Sequence, residues 1–212
     1  MDKRAFHTIS YGLFLLTVRD GSADPTKQGF VGTGRDTGCI TNTFMQITTT
    51  PNRVALGVSK ANYTHDVLCS TGRCNVTVLA LGTGFATFER FGFQSGRDTD
   101  KFAGMTPARA ANGIAYLPEN ACAYFSCETV SATDMGTHTL FVMEVTDAEV
   151  LSKAPPLTYA DYHAHVKPKP QTQGKSGWRC RICGWVYEGE ELPPDIICPL
   201  CKHGAVDFEK IQ

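Results

Sequence analysis

Near its C-terminal end the chain reads Trp178-Arg179-Cys180-Arg181-Ile182-Cys183-Gly184. Fourteen residues separate Cys183 from Cys198-Pro199-Leu200-Cys201. Two Cys-x-x-Cys pairs at this separation constrain the fold more than anything else in the sequence. Each pair can wrap its backbone around one sulfur-bound metal, and together they supply a tetrahedral four-thiolate site. Gly184 follows the first pair, where a knuckle turn calls for a positive backbone angle that glycine adopts cheaply. Gly204 is a less direct counterpart for the second pair. A segment of 35 residues cannot bury enough apolar surface to fold alone, so ligation must supply much of its folding energy. Spacing by itself does not separate iron from zinc.

The other 177 residues need a different architecture. The five remaining cysteines, Cys39, Cys69, Cys74, Cys122 and Cys127, are scattered in apolar or loop contexts and read as buried thiols. That usage fits a reducing cytoplasm rather than a disulfide framework. Basic and acidic residues number 20 and 21, so no basic excess points to nucleic acid. No apolar run approaches the ~20 residues of a membrane-spanning helix. Arg19-Asp20-Gly21 follows the early apolar stretch without a small-x-small cleavage site, so the start does not read as a signal peptide.

Residues 11–18, 39–50, 53–59, 75–80, 121–130 and 138–145 carry the β-branched and aromatic bias of strands. Residues 63–70 and 85–93 read as short helices. Few, short helices among many strands predict a mainly β fold, an antiparallel barrel with helical additions. Residues 19–38, with five glycines, read as a long loop between the first two strands. Its Gly32-Thr33-Gly34 lacks the strand-loop-helix frame of a phosphate loop. Residues 167–177 (KPKPQTQGKSG) read as a linker, stiff at its prolines and flexible beyond them, reaching roughly 36–40 Å when extended. The expected division is therefore 1–166, a linker 167–177, and a metal module 178–212.

Family resemblance sharpens both parts. The segment CRICGWVYEGEELPPDIICPLCKHGAVDFEKI (180–211) resembles rubredoxin in its Cys-x-x-Cys-Gly, Tyr187, Gly189, Pro193-Pro194-Asp195, Cys-Pro-x-Cys and Phe208. That resemblance implies one iron on Cys180, Cys183, Cys198 and Cys201, with Trp178, Tyr187 and Phe208 as the small core. Trp185 stands where the family more often has tyrosine, and the spacer is short. Residues 41–68 (TNTFMQITTTPNRVALGVSKANYTHDVL), 89–104 (ERFGFQSGRDTDKFAG) and 135–151 (MGTHTLFVMEVTDAEVL) are similar to the FMN-binding split-barrel flavin reductases. The insertion at 19–38 departs from the compact family pattern.

The second resemblance implies an FMN site. Thr41, Asn42 and Thr43 would line the ring or ribityl chain, with Gln46 and Thr48 further along the same strand. Ser59, Lys60 and the Asn62-Tyr63-Thr64-His65 turn would hold the phosphate, because a helix opening there presents N–H groups to an anion. Lys101 and Phe102 would approach the ring, and a cation at its N1/O2 edge would stabilise the reduced anion. His138 would sit near the ring edge or the nicotinamide, and Tyr159 or Tyr162 would close the pocket. Taken without the family, the threonines are ordinary strand formers, the lysines solvated charges, and His138 a structural histidine.

A chain joining the two modules resembles the high-molecular-weight rubredoxins. That implies an oxidoreductase taking electrons from NAD(P)H through FMN to iron, a flavodiiron protein as partner, and a homodimer. Two other expectations stand beside it: a self-sufficient NAD(P)H:flavin or ferric reductase with an accessory metal module, and a zinc-stabilised tail that docks partners.

Overall fold

A computed structural model describes residues 3–21, 34–168, 176–181, 184–199 and 204–211. A 3-10 turn (Lys3–Thr8) leads into strands β1 (Phe14–Arg19), β2 (Asp36–Thr41), β3 (Phe44–Thr49) and β4 (Asn52–Ser59), then helix α1 (Tyr63–Thr71) and β5 (Arg73–Leu79). Helix α2 (Phe85–Gly92), the short β6 (Ala108–Arg109) and β7 (Ala115–Tyr116), and the long β8 (Ala121–Asp134) and β9 (His138–Val150) follow. A turn of helix α3 (Tyr159–Asp161) continues into a π-helical turn (Tyr162–Val166). The C-terminal module holds β10 (Gly177–Cys180), β11 (Val186–Tyr187) and β12 (Phe208–Ile211).

The main sheet, among the described residues, has seven strands in the order β2-β1-β5-β8-β9-β4-β3, every pair antiparallel. The fold is mainly β, as expected. Strand β1 shows why the chain closes on itself. Its side chains alternate, as strand geometry requires, yet both faces are apolar. Phe14, Leu16 and Val18 join a core with Val54, Leu56, Val58, Val76, Phe141 and Met143. Leu13 and Leu15, on the opposite face, pack with Phe88 and Phe91 of α2. Burying one such side chain contributes about 1.5–3 kcal/mol, so β1 is held from both sides. Helix α1 buries Val67 and Leu68 in the first core and ends at Gly72, whose φ of 70° closes the last turn onto the Leu68 carbonyl.

Three sequence expectations need correction. Residues 39–50 do not form one strand: β2 ends at Thr41 and the chain turns through Asn42 and Thr43 into β3. The expected loop 19–38 is shorter at both ends, since Arg19 belongs to β1 and Asp36 opens β2; residues 22–33 lie outside the described ones. Strand β8 runs past its expected end to Asp134, because residues 131–138 form an exposed hairpin arm with no core face to signal it, and β9 continues past Val145 to Val150, where residues 147–150 pair with the start of β8.

In the C-terminal module the strand order is β11-β10-β12. Cys180, Cys198 and Phe208 form its buried centre, with Trp178, Trp185, Tyr187, Leu192 and Ile196 packed around them. Gly184 has φ 84°, the positive angle expected after the first knuckle. Gly204 does not repeat it: its φ of -88° is ordinary, and the residue pairs with Ile197.

Candidate functional site

The large domain carries a cleft where β2, β4, β9 and the start of α1 meet the segment after α2. One lobe, about 260 Å³, is bounded by Leu13, Ile40, Thr41, Asn42, Thr43, Gly57, Val58 and Tyr159. The adjoining lobe, about 490 Å³, is bounded by Ala61, Tyr63, Thr64, Lys101 and residues 92–96. Cys39, Ser59, Asn62 and His138 border both lobes and make them continuous.

Local chemistry fixes the first lobe. Thr41 Oγ1 donates to the Gly57 carbonyl at 3.2 Å and accepts from Thr43 N at 3.2 Å. Gly57 N donates to the Thr43 carbonyl at 3.0 Å, and Thr43 Oγ1 donates to Asn42 Oδ1 at 3.1 Å. A Cβ on Gly57 would lie 2.9 Å from Thr43 Cγ2, so the close approach of turn and strand requires glycine there. Ser59 and His138 are register partners across β4 and β9, which puts both at the cleft wall. His138 Nδ1 lies 2.9 Å from Thr137 Oγ1.

The floor carries an unusual charge. Lys101 is 3% exposed, and its ammonium donates to the Gly38 carbonyl at 2.8 Å and the Phe91 carbonyl at 3.1 Å. An ammonium has three N–H donors, so one remains for a ligand in the cleft. Burial pushes its pKa down from 10.5 to about 8, with Cys39 opposing the shift. The Cys39 thiol is raised by the same desolvation, against Lys101, Thr64 and Asn62, which lower it. At neutral pH the floor is therefore a thiol beside an ammonium.

At the far end, Asn62 is the N-cap of α1 with extended backbone, and His65 N donates to its carbonyl at 3.0 Å. The N–H groups of Tyr63 and Thr64 have no acceptor within the helix, and both residues line the cleft's second lobe.

The structure thus brings Thr41, Asn42, Thr43, Ser59, Asn62, Tyr63, Thr64, Lys101 and His138 to one cleft. It does not bring the others. Gln46 borders a separate apolar groove with Phe14, Phe44 and Phe125, and its amide turns to the Thr48 carbonyl. Thr48 bonds the Pro51 carbonyl. Both lie on β3, which folds away from the cleft after the Asn42 turn. Lys60 pairs with Asp134 at 2.6 Å on the hairpin arm. Phe102 does not border the cleft and packs edge-on to Phe91, ring centres 5.3 Å apart. His65 turns to Thr139 at 2.8 Å. Tyr159 borders the first lobe, while Tyr162 is buried against Phe88. Sequence reasoning passed over Cys39 and residues 92–96; Cys39 reads as a buried thiol and is one, yet it also borders the cleft.

The cleft fits a flavin and its phosphate through residues of three kinds. It has a buried cation with a donor to spare, hydroxyl and amide groups along one wall, and helix N–H groups for a phosphate. In the C-terminal module Cys180 and Cys198 are both 0% exposed within one core. Gly184 N donates to the Cys180 carbonyl at 2.8 Å, closing the knuckle turn. Two thiols buried together in so small a module suit a metal better than apolar packing alone. Cys183 and Cys201 lie outside the described residues.

Comparison with known proteins agrees with both parts. Residues 6–167 match the flavin reductase like domain, and residues 178–209 match the rubrerythrin, rubredoxin-like domain. The chain is 33% identical to the high molecular weight rubredoxin of Moorella thermoacetica, with all of both chains covered. It is 39% identical to the ferric-chelate reductase (NAD(P)H) of Archaeoglobus fulgidus over 81% of this chain and 95% of that one. Among solved structures, an FMN-binding protein from Thermus thermophilus superposes with a TM-score of 0.58 at 20% identity, over 69% of this chain and 74% of that one. The flavin reductase component BorF of a bacterial two-component tryptophan halogenase gives a TM-score of 0.60 at 24% identity, over 73% and 89%. These two likenesses establish the fold.

Proposed function

This chain belongs to the flavin reductase-like family and carries a rubredoxin-like domain behind it, and from that premise we propose that it passes electrons from NAD(P)H through FMN in the cleft to one iron on Cys180, Cys183, Cys198 and Cys201, and on to a redox partner such as a flavodiiron protein. It is an oxidoreductase with an electron-transport module. The observation that carries the proposal is the union, in one chain, of a cleft floored by a buried ammonium and a module centred on buried thiols. FMN would supply acceptance of a hydride and release of its electrons singly, and iron on four thiolates would supply a one-electron couple with no position open to substrate.

The chain's own residues do the rest. Lys101 places a positive charge and a free N–H under the cleft, where negative charge would develop. Its hold on Gly38 and Phe91 keeps that charge fixed. Cys39 stays protonated beside it. Tyr63 and Thr64 offer N–H groups to a phosphate, while Thr41, Asn42 and Thr43 offer hydroxyl and amide groups along the wall. His138 stands at the junction of the lobes, where an incoming nicotinamide would meet it. Burial of Cys180 and Cys198 keeps water from the sulfurs. The division is 1–166 for the flavin domain, 167–177 for the tether and 178–212 for the metal module; the tether raises the acceptor's effective concentration.

Two accompanying assignments follow. Met45 and Ile47 are exposed beside the apolar groove of Phe44 and Phe125, a surface suited to a second copy in a homodimer, which light scattering tests. A four-thiolate site suits a reducing compartment, the cytoplasm.

Stopped-flow mixing of the oxidised protein with NADH should bleach the flavin first and the ferric-thiolate colour second. Flavin bleaching with no second phase would overturn internal transfer. A second reading, reduction of ferric chelates or free flavin by the large domain alone, is favoured by the 39% identity to the Archaeoglobus fulgidus enzyme. It expects turnover with ferric chelate to survive Cys198→Ser unchanged.

A further inference from the structure

The cleft has a built wall at its far end. Arg97 follows the lining residues Ser95 and Gly96 and returns to helix α1 by three contacts. One terminal nitrogen donates to the Ala61 carbonyl at 3.4 Å, and the other pairs with Asp66 in the first turn of α1. The guanidinium carbon lies 5.4 Å from the centre of the Tyr63 ring. From the other side, Arg35 donates to the Gly96 carbonyl at 2.8 Å. Tyr63 donates through its hydroxyl to Asp20 at 3.1 Å, and Asp20 also accepts from Arg35 N at 2.8 Å. The fit at Gly96 is tight: a Cβ there would lie 2.2 Å from Thr37 Oγ1 and 3.3 Å from the Tyr63 ring. Residues 95–97 are thus fastened to the N-terminus of α1 from both flanks.

We propose that Arg97, clasped to Ala61, Tyr63 and Asp66, is a length stop that admits a flavin ending in one phosphate and turns away one that continues into an adenylate. The idea rests on the flavin reading of the cleft. A phosphate on the N–H groups of Tyr63 and Thr64 ends beside Ser95 and Gly96, and anything attached to it meets the clasp. Arg97 and Asp66 are both about half exposed, and exposed ion pairs hold weakly. The stop is therefore a matter of selectivity: FAD should bind about tenfold more weakly than FMN, the scale of discrimination that one blocked contact region gives.

The test titrates the flavin-free, full-length protein with riboflavin, FMN and FAD, following quenching of flavin fluorescence. FMN should bind more tightly than riboflavin and about tenfold more tightly than FAD. Arg97→Ala should bring FAD to within about threefold of FMN and leave riboflavin where it was. Asp66→Asn, which keeps the helix and removes the charge that holds Arg97, should move FAD the same way. Equal binding of FMN and FAD by the unaltered chain overturns the stop. So does a gap that survives both substitutions. Loss of FMN affinity in Arg97→Ala with no gain for FAD also overturns it and makes Arg97 a phosphate ligand instead. If none of the three flavins binds, the flavin reading itself fails, which is a separate result.

Discussion

Lys101 offers a test of the cleft's electrostatics that needs no cofactor. Its pKa is pushed from 10.5 to about 8 by burial, so the folded protein carries an ammonium that would rather be in water. At about 1.36 kcal/mol per pH unit, holding that charge costs roughly 3 kcal/mol at pH 7. The sign follows from proton binding. Between pH 8 and 10.5 the unfolded chain holds the proton and the folded one has released it, so stability rises with pH across that window. The gain from pH 7 to pH 9.5 comes to about 2 kcal/mol. Lys101→Met removes the titrating group and keeps the volume. Denaturant unfolding followed by far-UV circular dichroism, with both chains at both pH values, isolates the difference. Both tryptophans, Trp178 and Trp185, lie in the C-terminal module, so dichroism rather than tryptophan fluorescence reports on the barrel. The thiols other than Cys39 titrate alike in both chains and cancel, while Cys39, which loses the Lys101 charge beside it, titrates higher in Lys101→Met. The unaltered chain should gain about 2 kcal/mol on Lys101→Met over this range; parallel profiles would refute a buried, desolvated ammonium.

Other outcomes follow from the packing. Phe91→Ala empties a site that is 1% exposed beneath α2, and should cost 3–5 kcal/mol of unfolding free energy by denaturant titration. Gly96→Ala forces a methyl onto Thr37 and Tyr63, and should destabilise the barrel by roughly 1–3 kcal/mol while weakening FMN binding as measured by fluorescence. Cys198→Ser should abolish metal content by elemental analysis and red-shift the emission of Trp178 and Trp185, with the dichroism of the barrel unchanged.

Much of the fold was legible because its signals are local. The β-branched and aromatic bias of the strands, the short stretches that read as α1 and α2 and the two cysteine pairs each depend on neighbours in sequence. What stayed hidden depends on distant ones. Gln46 and Thr48 look continuous with Thr41 and Thr43, yet the Asn42 turn and the pairing of β3 with β4 carry them to another surface. Lys101 and Phe102 are adjacent, and only tertiary packing decides that one enters the cleft and the other the α2 core. Arg97 reads as one charged loop residue among several; its three contacts all reach back to α1. The capping box of Thr158 and Asp161 was readable in Thr-x-x-Asp, but a single turn of helix leaves too little apolar periodicity to mark an element.

Strand β1 has a consequence for how this domain comes apart. Leu16 belongs to one core and Leu15 to the other, so the two share a backbone that cannot leave either singly. A strand clamped in this way forbids stepwise melting of the α2 layer. The barrel and its helical cover should be lost in a single cooperative event, and a ligand that steadies the cleft should protect amides on the far side of the sheet as much as those beside it.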